Sequence, residues 1–242
     1  MVSDRMAMVL AQLDRESASG GSCGFHGFPR LATSVAADVV GVDGLCAGVG
    51  TASAGTVLVW GAGTVGAALE DLQFGLGEGP SREVVATGVP LLTSDLAGAE
   101  SRWPVFVPAA MDLGVRAVFV FPLRIGAIGV GTMLAYRTVS GSLAAGQTID
   151  ALALADALTL ALLPSRWPEE DDGDRPGPGW ARPATYRAEV HQATGMVSVQ
   201  LGISLADALV RLRAYAWARD RLLTEVAGDV VARRLRFDDP NL

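Results

Sequence analysis

The chain has 242 residues, half of them apolar and 19% charged, enough for one large core or two modest ones and too apolar for a disordered tail. Net charge is −7, and all 19 Lys or Arg positions are Arg. Two cysteines, Cys23 and Cys46, and two histidines, His26 and His191, exclude a disulfide scaffold, a cysteine-built zinc site and a histidine-rich metal site.

The first fifteen residues carry Asp4, Arg5, Asp14 and Arg15, without the continuous apolar stretch of a signal peptide. Met6, Val9, Leu10 and Leu13 predict a helix there instead, and Leu31, Val35, Val39 and Val40 predict a second ending near Gly41. Strand-like runs follow at residues 45–49, 56–60, 89–92, 115–121 and 125–136, the last two joined by a hairpin turn at Pro122-Leu-Arg124. A long helix is expected from about Leu143 to Leu163. The uncharged stretch 44–69 is long enough to span a bilayer, but 11 of its 26 residues are Gly, Thr or Ser. That content breaks it into strands and turns, so no membrane span is expected. Strands in the middle with helices at both ends indicate an α+β sensor-type domain, a sheet with helices packed on it.

Gly61-Ala-Gly63-Thr-Val-Gly66 fits the G-x-G-x-x-G pattern between a strand-like and a helical segment. In a dinucleotide-binding fold such glycines bring the backbone against a pyrophosphate. The acidic residue that would bind the ribose about 20 residues on is missing; residues 76–82 read as a turn-rich loop, with Glu83 opening the next helical segment. A glycine-rich turn is the simpler reading, and an oxidoreductase built on Gly61–Gly66 is the lesser alternative. Asp71, Glu78, Asp95 and Glu100 flank Gly and Pro turns and read as solvated loop residues. Cys46 reads as a small core residue, while Cys23 lies in a glycine-rich stretch near His26. With no G-x-S-x-G or H-E-x-x-H pattern, no catalytic residue and no metal site are expected.

Charge divides the chain. Residues 1–181 hold 10 Arg against 19 acids, a balance of −9, whereas residues 182–237 hold 9 Arg against 5 acids, a balance of +4. Between them the run 164–179, with four prolines, three glycines and five acids, reads as a linker. Beyond it, Tyr186, Val190, Ala193, Val197 and Leu201 predict a helix stopped by Gly202. Ser204 and Asp207 form an acidic variant of the capping box for a second helix striped by Leu205, Ala208, Leu209, Leu212 and Ala216. Leu223, Val226, Ala227, Val230, Val231 and Leu235 predict a third helix, which carries Arg233, Arg234 and Arg236 off its apolar stripe. A basic helical module beside an acidic body points to an anionic partner.

The stretches Val190-His-Gln-Ala-Thr-Gly-Met196, Leu201-Gly-Ile-Ser204, Asp207-Ala-Leu-Val-Arg-Leu-Arg-Ala-Tyr-Ala216 and Asp220-Arg-Leu-Leu-Thr-Glu-Val-Ala227 resemble the ANTAR domain, the three-helix RNA-binding module of bacterial antitermination regulators. Leu72-Gln-Phe-Gly-Leu-Gly-Glu-Gly-Pro80, Thr93-Ser-Asp-Leu96, Arg102-Trp-Pro-Val-Phe106 and Gly114-Val-Arg-Ala-Val-Phe-Val-Phe-Pro-Leu123 resemble GAF domains fused to it. The resemblance implies an α+β GAF sensor domain, a central antiparallel sheet with flanking helices, followed by an all-α ANTAR domain. It divides the chain into an N-terminal helix and lead (1–27), a GAF-like domain (28–163), the linker (164–182), the ANTAR module (183–237) and a tail (238–242).

It also implies a cytoplasmic regulator that binds pairs of RNA stem-loops as a homodimer and so prevents terminator formation. A small-molecule or protein signal would act at the GAF domain, with no further cofactor. The RNA-contacting set carried over is Arg187, His191, Gln192, Thr194, Gly195, Arg211, Arg213, Tyr215, Arg219 and Arg221. Thr194 stands where the family often has a basic residue, and Ser81 where related GAF domains often have Cys, which argues against thiol chemistry there. The remaining alternative is a dimeric protein-interaction regulator without RNA affinity.

Overall fold

The computed structural model describes residues 2–18, 33–51, 55–61, 64–161, 185–219 and 221–238. The stretch containing Cys23 and His26 and the expected linker lie outside the described residues. The chain divides into two compact units, the changeover falling between residues 162 and 184.

The N-terminal unit contains, in order, α1 (Asp4–Ala18), α2 (Thr33–Val40), β1 (Gly44–Thr51), β2 (Gly55–Trp60), α3 (Thr64–Leu76), α4 (Pro80–Thr87), β3 (Leu91–Thr93), α5 (Phe106–Asp112), β4 (Ala117–Ile125), β5 (Ile128–Arg137) and α6 (Ala145–Ala161). The strands form one five-stranded sheet in the order β2-β1-β5-β4-β3, antiparallel at every pairing. Helices cover both faces, which is why β4 reads as a nearly unbroken apolar run instead of an alternating one. Ala117, Phe119, Phe121 and Leu123 of β4 join Met133 and Ala135 of β5 in a core with Met6 and Val9 of α1, Ala36 and Val40 of α2, and Leu154 and Leu158 of α6. By alternation Val118 and Val120 point to the other face, and α4 packs against β4 and β5. The Arg137 guanidinium ties three elements together, donating to Gly41 O (2.7 Å), Ser142 O (3.1 Å) and Gln147 Oε1 (3.2 Å).

The antiparallel sheet removes the parallel strand–helix–strand context that a dinucleotide fingerprint needs. β2 is an edge strand, and the chain passes from it through Gly61, at φ 69°, towards α3. The expected hairpin turn at Pro122–Arg124 is also displaced. β4 runs on to Ile125, and Gly126-Ala127 makes a two-residue turn with Gly126 at φ 58°, a geometry that suits the twist of a hairpin. Pro122 fits within β4 because β3 pairs only as far as Val120, so beyond that point β4 has a free edge and no ladder donor is missed. α4 begins at Pro80, three residues ahead of the expected Glu83, since proline suits the first helical turn.

The C-terminal unit contains α7 (Thr185–Leu201), α8 (Leu205–Ala218) and α9 (Leu223–Val231). α7 packs on both α8 and α9, and the core is Val190, Ala193, Val197, Ala208, Leu209, Leu212, Ala216, Leu223, Val226, Ala227 and Val230. Gly202, at φ 63°, ends α7, with Ile203 N–H donating to Ser198 O (3.1 Å). Ser204 caps α8 as expected: its Oγ accepts the Asp207 N–H at 3.1 Å and donates to Asp207 Oδ2 at 2.7 Å. The third helix is shorter than its sequence stripe suggests. Arg233 takes the left-handed conformation (φ 59°), and the N–H groups of Arg233 and Arg234 donate to Val230 O and Asp229 O. This is a Schellman closure without glycine, and it puts Arg233, Arg234 and Arg236 beyond the helix.

Among the described residues no single helix is long and apolar enough to cross a membrane; residues 188–201 and 205–218 pass that test only as a pair bent by 104°.

Candidate nucleic-acid interface

Helical spacing places Ala188, His191, Gln192, Gly195 and Val199 on one side of α7, all exposed except the half-buried Gly195. A Cβ on Gly195 would meet nothing within 4 Å, so the helix surface there is bare and packing does not require glycine. Arg187 lies on the same helix, its side chain outside the described residues.

Thr194 departs from its expected role. It is 5% exposed, and its hydroxyl donates to Val190 O at 2.7 Å, one turn back in its own helix. A β-branched residue with a short hydroxyl can turn inward and satisfy itself this way, whereas a long basic side chain at that position would reach solvent. Thr194 is therefore a core residue, not a contact residue.

Arg211, Tyr215 and Arg219 follow one another at intervals of four along α8, over about 12 Å of helix. The Arg219 guanidinium sits 3.8 Å from the centroid of the Tyr215 ring, a cation–π stack. Tyr215 also meets Phe237, the ring centroids 5.2 Å apart and the planes tilted by 57°. Phe237 N–H donates to Gln200 Oε1 (2.9 Å), so the returning chain seats an aromatic ring between the end of α7 and α8. Sequence reasoning missed Phe237 and Gln200. A lone aromatic in the arginine-rich tail was the available signal, but its place depends on the left-handed turn at Arg233.

The remaining arginines are engaged to different degrees. Arg221 donates to Asp229 Oδ2 at 2.7 Å and lies 3.6 Å from Glu225. Arg234 pairs with the other Asp229 oxygen at 2.8 Å, and Arg236 with Asp238 at 2.7 Å. The hydrogen bond from Arg221, and then that from Arg234, hold the Asp229 carboxyl below its usual range, while the same pairing raises Arg221. Arg221 thus braces α9 and is not freely offered to an anion. Arg213 is half-buried. Among the described residues Arg211, Arg219 and Arg233 are exposed and form no ion pair.

Of the acids expected to be solvated in the N-terminal unit, Asp95 and Glu100 are exposed and Asp71 is half-buried on α3, whereas Glu78 takes a structural role. Glu78 Oε1 accepts the N–H groups of Val105 (2.8 Å) and Phe106 (2.7 Å) at the start of α5, where an anion is favoured. Ser81 is fully buried: its hydroxyl donates to Glu70 Oε1 (2.7 Å), its N–H donates to Gln73 Oε1 (2.6 Å), and Gln73 Nε2 donates back to Ser81 Oγ (3.1 Å). This network joins α3 to α4. Cys46 is buried in β1 and carries no disulfide. Thr132 of β5 is 1% exposed, and among the described residues its Oγ1 has no hydrogen-bond partner. No group of three His, Cys, Asp or Glu able to hold a metal ion occurs among the described residues.

No protein-family model matches the chain, and no curated protein matches it. Among solved structures, 32 chains match. One is the GAF domain of a phosphoenolpyruvate-protein phosphotransferase from Coxiella burnetii, 17% identical, covering 66% of this chain and 95% of that one, with a TM-score of 0.48. Another is the GAF domain of an Acinetobacter phosphoenolpyruvate-protein phosphotransferase, 13% identical, covering 66% of this chain and 93% of that one, with a TM-score of 0.45.

Proposed function

We propose that the chain is a cytoplasmic regulator whose C-terminal unit is an ANTAR module that binds RNA stem-loops as a homodimer, causing transcription antitermination under the control of a GAF-type sensor unit. The observation that carries this reading is the basic three-helix unit itself. The residues resembling ANTAR lie on α7, α8 and α9, and the exposed edge of α8 holds a guanidinium stacked on a tyrosine. Unpaired loop bases are recognised by aromatic and guanidinium planes and by hydrogen bonds to their edges. Tyr215 with Arg219 supplies the first kind of group, and exposed His191 and Gln192 supply the second. Gly195 leaves room between them for close approach along α7.

The sensor unit takes a small-molecule signal in this reading. The unpartnered, buried Thr132 hydroxyl supports it, since a buried polar group without a partner is costly unless something else satisfies it.

Filter binding of the purified chain to a two-stem-loop RNA, against a loop-scrambled control over a salt series, tests the proposal. The expected result is loop-dependent binding that weakens with salt, reduced about five- to tenfold by Arg219→Ala, as for a lost charged contact. The fold should be unchanged by circular dichroism. Equal, weak binding to both RNAs would overturn it and leave a dimeric protein-interaction regulator, which the inward-turned Thr194 permits, as the better reading.

A further inference from the structure

α8 is apolar on two opposite sides. Ala208, Leu209, Leu212 and Ala216 pack into the core of the unit, while Ala206, Val210, Ala214 and Trp217, spaced by four, four and three residues, form an exposed line along its outer side. Val210 is 59% exposed and Trp217 is 67% exposed. An outer helix face is normally polar, and a helix that is apolar all round needs cover on both sides.

From this face we infer that two copies of the chain pack against each other through the outer side of α8, antiparallel about a two-fold axis at Ala214. The inference names the interface of the homodimer in the proposed function and rests on that part of it. Three observations select a second copy as the occupant. The charged residues bordering this side, Asp207, Arg211 and the half-buried Arg213, are of mixed sign and sum to a single positive charge, so the face offers limited attraction to a phosphate backbone. Ala206, Ala214 and Ala218 are small and exposed, which lets two helices approach to the lower end of the usual 8–10 Å axial separation.

The face is also complementary to itself. Turned about Ala214, Val210 of each copy meets Ala218 of the other, and each Arg211 meets the other's Trp217, a cation against an indole face. Arg211, exposed and without an ion pair among the described residues, thereby serves the seam between copies. That takes it out of the RNA-contacting set. One face of a 14-residue helix is small against the roughly 800 Å² per partner of a standard interface. The contact is therefore weak on its own, and a measurement that traps it is the suitable one.

The test uses the full chain with Cys23→Ser, leaving only the buried Cys46, and adds either Ala214→Cys at the axis or Ala232→Cys at the exposed end of α9. Two thiols at a close two-fold contact lie within disulfide reach. Under mild oxidation the Ala214→Cys chain is expected to cross-link on the order of a hundredfold faster than the Ala232→Cys chain, the gain from holding the thiols at high effective concentration. Adding Trp217→Glu should return it to the control rate. Cross-linking of Ala214→Cys no faster than the control overturns the interface. If sedimentation then still reports a dimer, the dimer stands and its seam lies elsewhere. If Trp217→Ala instead weakens RNA binding while cross-linking stays at the control rate, the face is a base-stacking platform, and the inference is equally overturned.

Discussion

Gly195 and Thr132 each leave something unspent, a bare patch of helix in one case and an unpartnered hydroxyl in the other. Glycine inside a helix costs about 0.5–1 kcal/mol relative to alanine, and a Cβ at Gly195 would meet nothing. Gly195→Ala should therefore raise the thermal stability of the C-terminal unit by about that amount. If RNA lies along α7, the same variant should bind it less well, so stability and affinity move in opposite directions. A parallel rise in both, or no loss of affinity, would detach Gly195 from the interface. Thr132→Val replaces the unpartnered hydroxyl with a methyl group of similar size. Without ligand it should stabilise the N-terminal unit by about 1–3 kcal/mol in denaturant unfolding, the cost of a buried polar group left unmade.

Helix ends show which features can be read from sequence. The ends of α7 and α9 close in the same way, but only the first does so with glycine, at Gly202; the second uses Arg233. A left-handed non-glycine residue costs about 1–2 kcal/mol. Arg233→Gly should therefore stabilise the unit by about 0.5–1 kcal/mol once the extra freedom of glycine in the unfolded chain is offset. Gly202→Ala should destabilise it by about 1 kcal/mol, and thermal melts of both variants check the pair.

The same contrast explains how much was legible. The stripe 190–201, its stop at Gly202 and the Ser204 cap depend on contacts within a few residues, and periodicity and capping chemistry found them. The length of α9 was not legible, because Leu235 continues the apolar spacing while the chain has already turned at Arg233. The hairpin was misplaced because Pro122 looks like a turn residue unless one knows that β3 stops at Val120. Glu78 reaches Val105 and Phe106 across 27 and 28 residues of chain, a partnership that no local pattern encodes. Tyr215 and Arg219 could be singled out as residue types, but their packing with Phe237 belongs to the tertiary structure. The pairing of Arg221 with Asp229 belongs to it too, and it removes a cation that the sequence appeared to offer.

Across the whole molecule, the partners of its charges matter more than their number. Asp229 is held low by Arg221 and then Arg234, Asp238 by Arg236, and Asp43 by hydrogen bonds from the Thr138 hydroxyl (2.7 Å) and N–H (2.6 Å). Each depressed carboxyl adds stability that is fully present above the unfolded value of about 3.9 and is lost as pH falls through the lower folded value. Acid unfolding followed by circular dichroism should therefore be complete only below pH 4, with Asp229→Asn moving the C-terminal transition to higher pH. The same partnerships limit the charge left for RNA. The segment 182–237 contains nine arginines, and if all neutralised phosphate the logarithm of the affinity would fall with the logarithm of salt with a slope of about −6 to −8. Arg221, Arg234 and Arg236 already hold carboxylates, while Arg211, Arg219 and Arg233 hold none among the described residues. These three cations of the described residues alone give a slope of about −2 to −3 per module, closer to −2 if Arg211 is committed to the seam between copies, with Arg182 and the Arg187 side chain outside the described residues. A salt titration of stem-loop binding measures that slope directly. A value near −7 would mean that the ion pairs around Asp229 open on binding, in which case Asp229→Asn should strengthen RNA affinity; a value near −2 would mean that they stay closed and that the same substitution leaves affinity unchanged.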